Sequence, residues 1–412
     1  MPHDPAHYDA LETRTPSQRE TALFASLPAQ VTHAKAHSVW YGETLAAIAP
    51  AEIASREALS RLPLTRKSAL IAAQQARPPF GGLNATPVEA LNRIFVSPGP
   101  IFDPEGREPD PWRTARALHA SGFRRGDRVQ NCFSYHFTPA GAMFETGAQA
   151  LGCVVIPAGV GNTEGQVQAM AHLQPQGYVG TPDFLKVILE RADAMGVALP
   201  SLVRGHVTGG AFFPDLQRFY RDRGIEVYQS YGTADLGIIA YETPAREGLV
   251  IDEGVIVEIV RPGTGDPVPD GEVGEVVVTT FARDYPLLRF ATGDLSAILP
   301  GISPCGRTNR RIRGWMGRAD QTTKVKGMFV HPQQVAEVLA RLPAITRARL
   351  VVDQADGADR MTLCCEAATD DLALIEAARD ALQAVTRLKG EIRLTPPGSL
   401  PNDGKVIDDT RS

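Results

Sequence analysis

Four short segments of this 412-residue chain carry side chains whose types and order could do chemistry together. The first, YQSYGTADLG from Tyr228 to Gly237, is a strand-like run leading into a glycine turn. It would present an aromatic ring, Tyr231, and a carboxylate, Asp235, at the carboxyl edge of a sheet, where open sheets bind ligands. Taken alone, a core tyrosine and a helix-capping aspartate explain it better. The second, Glu272 to Asp294, ends in Thr-Gly-Asp. An aspartate after such a turn at a strand end suits a bidentate grip on two neighbouring hydroxyls, such as those of a ribose, although the tripeptide is also a common turn. The third, GRADQTTKVKGMFVHP from Gly317 to Pro332, sets Arg318 two residues before Asp320 among polar, small residues. That composition fits a hinge, or plain solvated charge. The fourth, PNDGKVIDDTR from Pro401 to Arg411, places Lys405 after a glycine in a loop, free to swing into a distant site or to serve as an ordinary surface lysine.

These residues need elements to hold them, and the chain has material for several. It is 43% hydrophobic and 22% charged, which excludes a disordered or disulfide-stapled chain, and its length is about three times the ~150-residue domain prior. A net charge of −5 with no basic face argues against a nucleic-acid partner, and no run reaches the ~18 apolar residues that suggest a membrane span, so a soluble, cytoplasmic protein is expected. Five cysteines without a CxxC pair signal neither a disulfide framework nor a thiolate zinc site. A helix over Ser17–Ala36, kinked or divided at Pro28, leads in. Strands at Val129–Phe133, Cys153–Pro157 (buried), Gly177–Val179 and Gly205–Thr208 then alternate with helices at Pro139–Leu151, Gln166–Leu173 and Pro182–Gly196, the signature of a parallel sheet covered by helices. Strand-like runs at Val255–Val260 and Val273–Thr280 suggest an antiparallel appendage. After Gly317 the rhythm changes to that of a small α+β domain. The fold class read from this is α/β: a large N-terminal domain over 1–317 and a small α+β domain over 321–412.

In this order and at these separations, the four segments resemble the adenylate-forming enzymes, specifically the phenylacetate-CoA ligase branch. The resemblance extends over nearly the whole chain, through PAHYDALETRTPSQRE near the start, LPLTRKSAL at Leu62–Leu70, PFGG at Pro79–Gly82 and SYHFTPAGAMFETGAQALGCVVIPAG at Ser134–Gly159. It implies a two-step ligase: a small carboxylic acid attacks the α-phosphate of ATP to give an acyl-AMP and pyrophosphate, and after rotation of the small domain coenzyme A displaces AMP. Carried over by position, Gly209, Gly210 and Ala211 would lie beside the adenine and acyl group, and Tyr231 would stack near the adenine. Gly232 and Thr233 would complete that nucleotide turn, and Asp235 would stand where the family's Mg²⁺-linked glutamate stands. Asp294 would hold the ribose hydroxyls with Arg318, Lys326 and Gly327 would line the thiol tunnel, and catalytic Lys405 would bridge the phosphate and carboxylate oxygens. The resemblance also implies that 318–320 is a hinge centred on Asp320 and that the small domain is mobile. The resemblance places the acyl pocket around Phe133, Tyr135, Phe137, Met143 and Ile238, an aromatic and thioether wall suited to a flat apolar acid such as an arylacetate. His136 is expected beside the acid's carboxylate. A homodimer is left open.

Two departures from the family pattern bear on this reading. The loop that wraps the β- and γ-phosphates is rich in Ser, Thr and Gly and ends in Lys-Pro, whereas this chain has SPGPIFDPEG at Ser97–Gly106. Ser97 and Gly99 align, Asp103 stands at the lysine, and Pro98 and Pro100 remove two backbone donors. Ala234 replaces a hydroxyl-bearing residue. Three explanations stay open: a rearranged phosphate site in which Arg107 or Arg93 replaces the lysine, an adenylate-forming enzyme with an acceptor other than CoA, or a binding protein without catalysis. Retention of Lys405, Asp294, Arg318 and Asp320 favours the first. With only Cys305 in the turn SPCGRTNRRIRG, no zinc site is expected there.

Overall fold

The computed structural model describes residues 6–262, 264–355, 358–369, 371–401 and 406–411. Its contacts divide the chain into two compact units, one of residues 1–292 with 297–314, the other of 293–296 with 315–412.

The first unit opens on the helix Pro16–His37, started by a reciprocal cap between Thr15 and Gln18. The helix runs through Pro28 undivided, its apolar residues Leu27, Val31 and Ala34 fully buried. Here burial of one face outweighs the single backbone bond a proline forfeits. Among the described residues the main sheet has nine strands. Five are parallel, in the order Val154–Pro157, Arg128–Asn131, Gly177–Gly180, Arg204–Val207 and Glu226–Thr233. Helices Ala140–Leu151, Thr163–Leu173, Pro182–Ala194 and Pro214–Arg221 make the connections. The strand Val154–Pro157, expected to be buried, is half-exposed because it forms the sheet's edge. At the other side Glu226–Thr233 turns back on Gly237–Tyr241, and Leu249–Ile251, Arg311–Ile312 and Ile298–Leu299 continue antiparallel. A second sheet orders Thr65–Arg66, Phe290–Ser296, Gly274–Thr280 and Val255–Val260.

The second unit has its own four-stranded sheet, ordered Glu391–Thr395, Ala358–Ala367, Ile345–Ala355 and Ile407–Asp409. Its central pair is antiparallel and both outer pairs are parallel. Helices Pro332–Arg341 and Leu372–Thr386 bury Val335, Val338, Ala378 and Leu382 in a core with Leu350, Val352 and Leu363. No helix among the described residues is long and apolar enough to cross a membrane.

Candidate active site

The carboxyl edge of the parallel sheet is where the first unit gathers its chemistry. Strand Arg204–Val207 ends in the exposed turn Gly209–Ala211, in which Gly209 has a left-handed backbone, φ 73°, and an open space beside its Cα. Its neighbour Glu226–Thr233 carries Tyr231, which is buried with its hydroxyl 3.2 Å from the Thr292 Oγ1. The two strand ends are tied by the Thr208 hydroxyl, which donates to the Ser230 carbonyl at 2.8 Å. Beyond Tyr231 the register shifts, and Gly232 lies so near Gly237 that a Cβ would stand 2.5 Å from its carbonyl oxygen. Any larger residue there would open the turn. Thr233 Oγ1 accepts the Leu236 N–H and closes a tight hairpin that aims Asp235 inward, 4% exposed.

Asp235 meets two partners that local pattern does not reveal. The Lys67 ammonium, from the LPLTRKSAL segment, donates to Asp235 Oδ2 at 2.6 Å. Asp103 is the second, felt through its charge. The segment Ser97–Gly106, expected as an open phosphate loop, is instead largely a β-hairpin, Arg93–Ser97 against Ile101–Glu105, turning at Pro98–Pro100. In it Ser97 is buried, its hydroxyl donating to Asp103 Oδ2 at 2.9 Å, while Gly99 is exposed at the tip. Asp103 is fully buried, and burial first, then the Asp235 charge, pushes its carboxyl well above the usual carboxylate range against the pull of Ser97 and Lys67. Of the two arginines expected in place of the missing lysine, Arg93 pairs with buried Glu105 at 2.5 Å and Arg107 donates to the Ala90 and Leu91 carbonyls. Lys67 is, among the described residues, a cation paired with Asp235. No sequence signal marked it, since the pair is 168 positions apart.

The aromatic segment after Arg128–Asn131 divides into two kinds of residue. Phe133 and Phe144 stack at 4.8 Å and, with Met143 and Ile238, are buried in a core shared with Phe95, Trp112 and Phe123. Tyr135, His136 and Phe137 reach solvent. Asn131 holds the Tyr135 hydroxyl at 2.8 Å, the Phe137 carbonyl accepts the Val96 N–H, and the His136 and Phe137 rings lie 4.7 Å apart. Phe137 has a left-handed backbone, φ 63°, a costly conformation for an aromatic residue.

Thr-Gly-Asp lies within the strand Phe290–Ser296, of which residues 293–296 group with the second unit, rather than after its end. Gly293 bends the chain there with φ 76°, where a Cβ would strike the Arg318 guanidinium at 2.6 Å. Asp294 Oδ1 accepts from Trp315 Nε1 and Arg318 Nη1, each at 3.1 Å, so Asp294 and Arg318 are brought together. Asp320 is on the short turn Ala319–Gln321. Lys326 and Gly327, with φ 47° and 85°, form the two-residue tip joining Thr323–Val325 to Met328–Val330. Lys405 lies outside the described residues.

With this geometry in view, comparison with known proteins is specific. Residues 112–281 match the model of the AMP-binding enzyme family. The phenylacetate-coenzyme A ligase of Thermus thermophilus is 31% identical over 327 residues, 76% of this chain and 72% of that protein. The one from Pseudomonas putida is 30% identical over 312 residues, 72% of this chain and 69% of that protein. Among solved structures, an open conformation of 2-hydroxyisobutyryl-CoA ligase in complex with 2-HIB-AMP and CoA superposes with a TM-score of 0.85. It is 22% identical and covers 99% of this chain and 97% of that one, a likeness of fold.

Proposed function

Because the chain belongs to the phenylacetate-coenzyme A ligase family of AMP-binding enzymes, we propose that it is an AMP-forming ligase joining a small aromatic, arylacetate-like acid to coenzyme A. The observation that carries this reading is the paired turns Gly209–Ala211 and Tyr231–Asp235 at one sheet edge, tied by Thr208 and Ser230. That edge offers open backbone, an aromatic ring and a buried carboxylate within one short stretch of structure.

In the first step a carboxylate oxygen bonds to the α-phosphorus of ATP, the bond from that phosphorus to the bridging oxygen breaks, and pyrophosphate leaves. The chain's task is to position the reactants and balance charge. Tyr231 and the Gly209–Ala211 turn seat the adenine, with Gly232 and Thr233 beside the α-phosphate. Asp294 takes the ribose hydroxyls, with Arg318 fixing its orientation. Lys67 is a cation within reach of the Asp235 carboxylate, and Lys405 supplies a second toward the phosphate and carboxylate oxygens. His136, exposed beside Tyr135 and Phe137, hydrogen-bonds the acid's carboxylate. Asp235 fits a Mg²⁺ ion: it is buried, Lys67 takes Oδ2, and Oδ1 has no hydrogen-bond partner, leaving a hard oxygen donor. When bound, the metal supplies charge neutralisation at the phosphates. In the second step the coenzyme A sulfur bonds to the acyl carbon, AMP leaves and the thiol proton is lost to solvent. Lys326 and Gly327 line the thiol's approach, and Asp320 is the pivot between the two half-reactions. Cytoplasmic placement follows from these soluble substrates.

The test is a mixture of ATP, Mg²⁺, CoA and a panel of aromatic acids. AMP and an acyl-CoA should appear only when acid is present, and Lys405→Ala should suppress adenylation far more than thioester formation from supplied acyl-adenylate. AMP release independent of acid would overturn the assignment. So would acyl-adenylate that amines discharge and CoA does not.

A further inference from the structure

In the second unit the Asp294 carboxylate is held by a side chain to which neither half-reaction gives a role. The segment Trp315–Arg318 runs beside the end of the strand Phe290–Ser296. The Leu295 N–H donates to the Gly317 carbonyl at 2.8 Å, the Met316 N–H donates to the Leu295 carbonyl at 2.9 Å, and Asp294 and Arg318 form an antiparallel bridge. From this backbone the Trp315 Nε1–H donates to Asp294 Oδ1 at 3.1 Å, the same oxygen that accepts from Arg318 Nη1 at 3.1 Å. Core packing does not account for the tryptophan, because its ring is 60% exposed. Trp112, by contrast, is 5% exposed, and its Nε1 donates to the buried Glu105 at 2.8 Å. What the exposed indole supplies at Asp294 is its N–H, since an indole is a donor only.

We propose that Trp315 is a positioning residue for nucleotide recognition, its indole N–H holding the Asp294 carboxylate in the orientation that accepts both hydroxyls of a ribose. The inference deepens the ligase reading and rests on Asp294 as the ribose acceptor. A carboxylate turns readily about the bond that joins it to its side chain, and a diol is gripped bidentately only when the plane of the carboxylate faces it. The long arginine side chain can follow such a turn. The indole is rigid, with two side-chain torsions, so its bond to Oδ1 fixes the plane before the nucleotide arrives. Ordering the carboxylate in advance removes that cost from binding. The effect is confined to ligands that carry the diol.

The test compares two nucleotides on the full-length protein by titration calorimetry: AMP, and 2′,3′-dideoxy-AMP, which lacks both ribose hydroxyls. The wild type should bind AMP more tightly. Trp315→Phe, which keeps an aromatic ring and loses the N–H, should weaken AMP about tenfold and leave the dideoxy analogue unchanged. In Asp294→Asn protein the same change should cost nothing further, because it acts through the carboxylate. Thermal unfolding checks that each variant is folded. Trp315→Phe protein that binds AMP as the wild type does overturns the assignment. So does equal weakening of both nucleotides, the mark of a structural role, or a full Trp315→Phe effect in the Asp294→Asn protein. Wild-type protein that does not prefer AMP to the analogue overturns it together with the ribose role of Asp294. Acid-dependent AMP formation from ATP, read in parallel, separates the two ideas: if it persists while Trp315→Phe has no effect, only the positioning role falls, and if it is absent while the nucleotide preference depends on Trp315, only the ligase reading falls.

Discussion

His206 shows how a single buried side chain can govern stability without touching substrate. Its ring is fully enclosed on the strand Arg204–Val207, Nδ1 2.8 Å from the Ser121 Oγ and Nε2 2.9 Å from the Ser230 Oγ, with Phe144 alongside. Burial lowers its pKa to about 3, whereas an unfolded histidine protonates near 6.5. Between those values the unfolded chain binds the extra proton, so this contribution is present above pH 6.5 and is lost as the pH falls toward 3. At pH 5 the loss from this group is about 2 kcal/mol relative to pH 7. Urea denaturation at both pH values should show His206→Gln losing about that much less stability on acidification than the wild type. An equal loss would refute the assignment. Cys305 is the opposite case. Burial pushes its thiol up, but hydrogen bonds from Ser303, Thr243 and Arg307 outweigh that and bring it down to about 7. Because Cys132, Cys153, Cys364 and Cys365 are buried, iodoacetamide should label Cys305 first, at a rate rising through pH 7, and peptide mapping reads the result. At this scale the sequence disclosed residues with a motif around them and missed those defined by a distant partner. Tyr231, Asp235, Asp294 and Arg318 stand in recognisable strings. Lys67 and the burial of Asp103 depend on contacts made only on folding.

Elements are held in place by close approaches as much as by hydrophobic faces. Helix Ala140–Leu151 crosses Thr114–Ala120 where Gly147 leaves a slot, and the Thr114 hydroxyl fills it by donating to the Met143 carbonyl at 2.8 Å. A Cβ on Gly147 would stand only 1.7 Å from that oxygen. Gly147→Ala should therefore cost about 1–3 kcal/mol through overpacking, despite alanine's better helix propensity, and move Phe144 and Met143 with the helix. Thermal unfolding measures the cost; an unchanged or raised midpoint would mean the helices separate freely. The alternation of helix and strand from Arg128 to Val207 was legible because each strand is a short run with glycine or proline in or near it and each helix between is longer than the strands it joins. The antiparallel continuation through Gly237–Tyr241 and Leu249–Ile251 was not, being too short to show a period. Over Ser97–Gly106 the prolines and glycines read as a binding loop, but only Pro98, Gly99 and Pro100 fall at the tip; Ile101–Glu105, Pro104 included, pairs in register with Arg93–Ser97.

At the scale of the molecule, each of the two compact units has, among the described residues, a hydrophobic core of its own. The second unit's cluster runs from Val325 and Val330 through Leu350, Val352, Leu363 and Leu382 to Ile407, all from its own part of the chain. The clusters of the sheet-bearing unit are likewise built from its own residues. Cooperativity follows shared burial, so each core defines its own opening equilibrium. Leu350 is fully buried on the central strand Ile345–Ala355, where Leu350→Ala should cost about 2–5 kcal/mol. Hydrogen exchange of the intact variant should then quicken across Ala358–Ala367, Glu391–Thr395 and Leu372–Thr386, while the strands Gly177–Gly180 and Arg204–Val207 keep wild-type protection. Faster exchange in both units alike would mean that one cooperative structure spans the chain. In that event a hinge at Asp320, on which the proposed two-step reaction depends, would lose its physical basis.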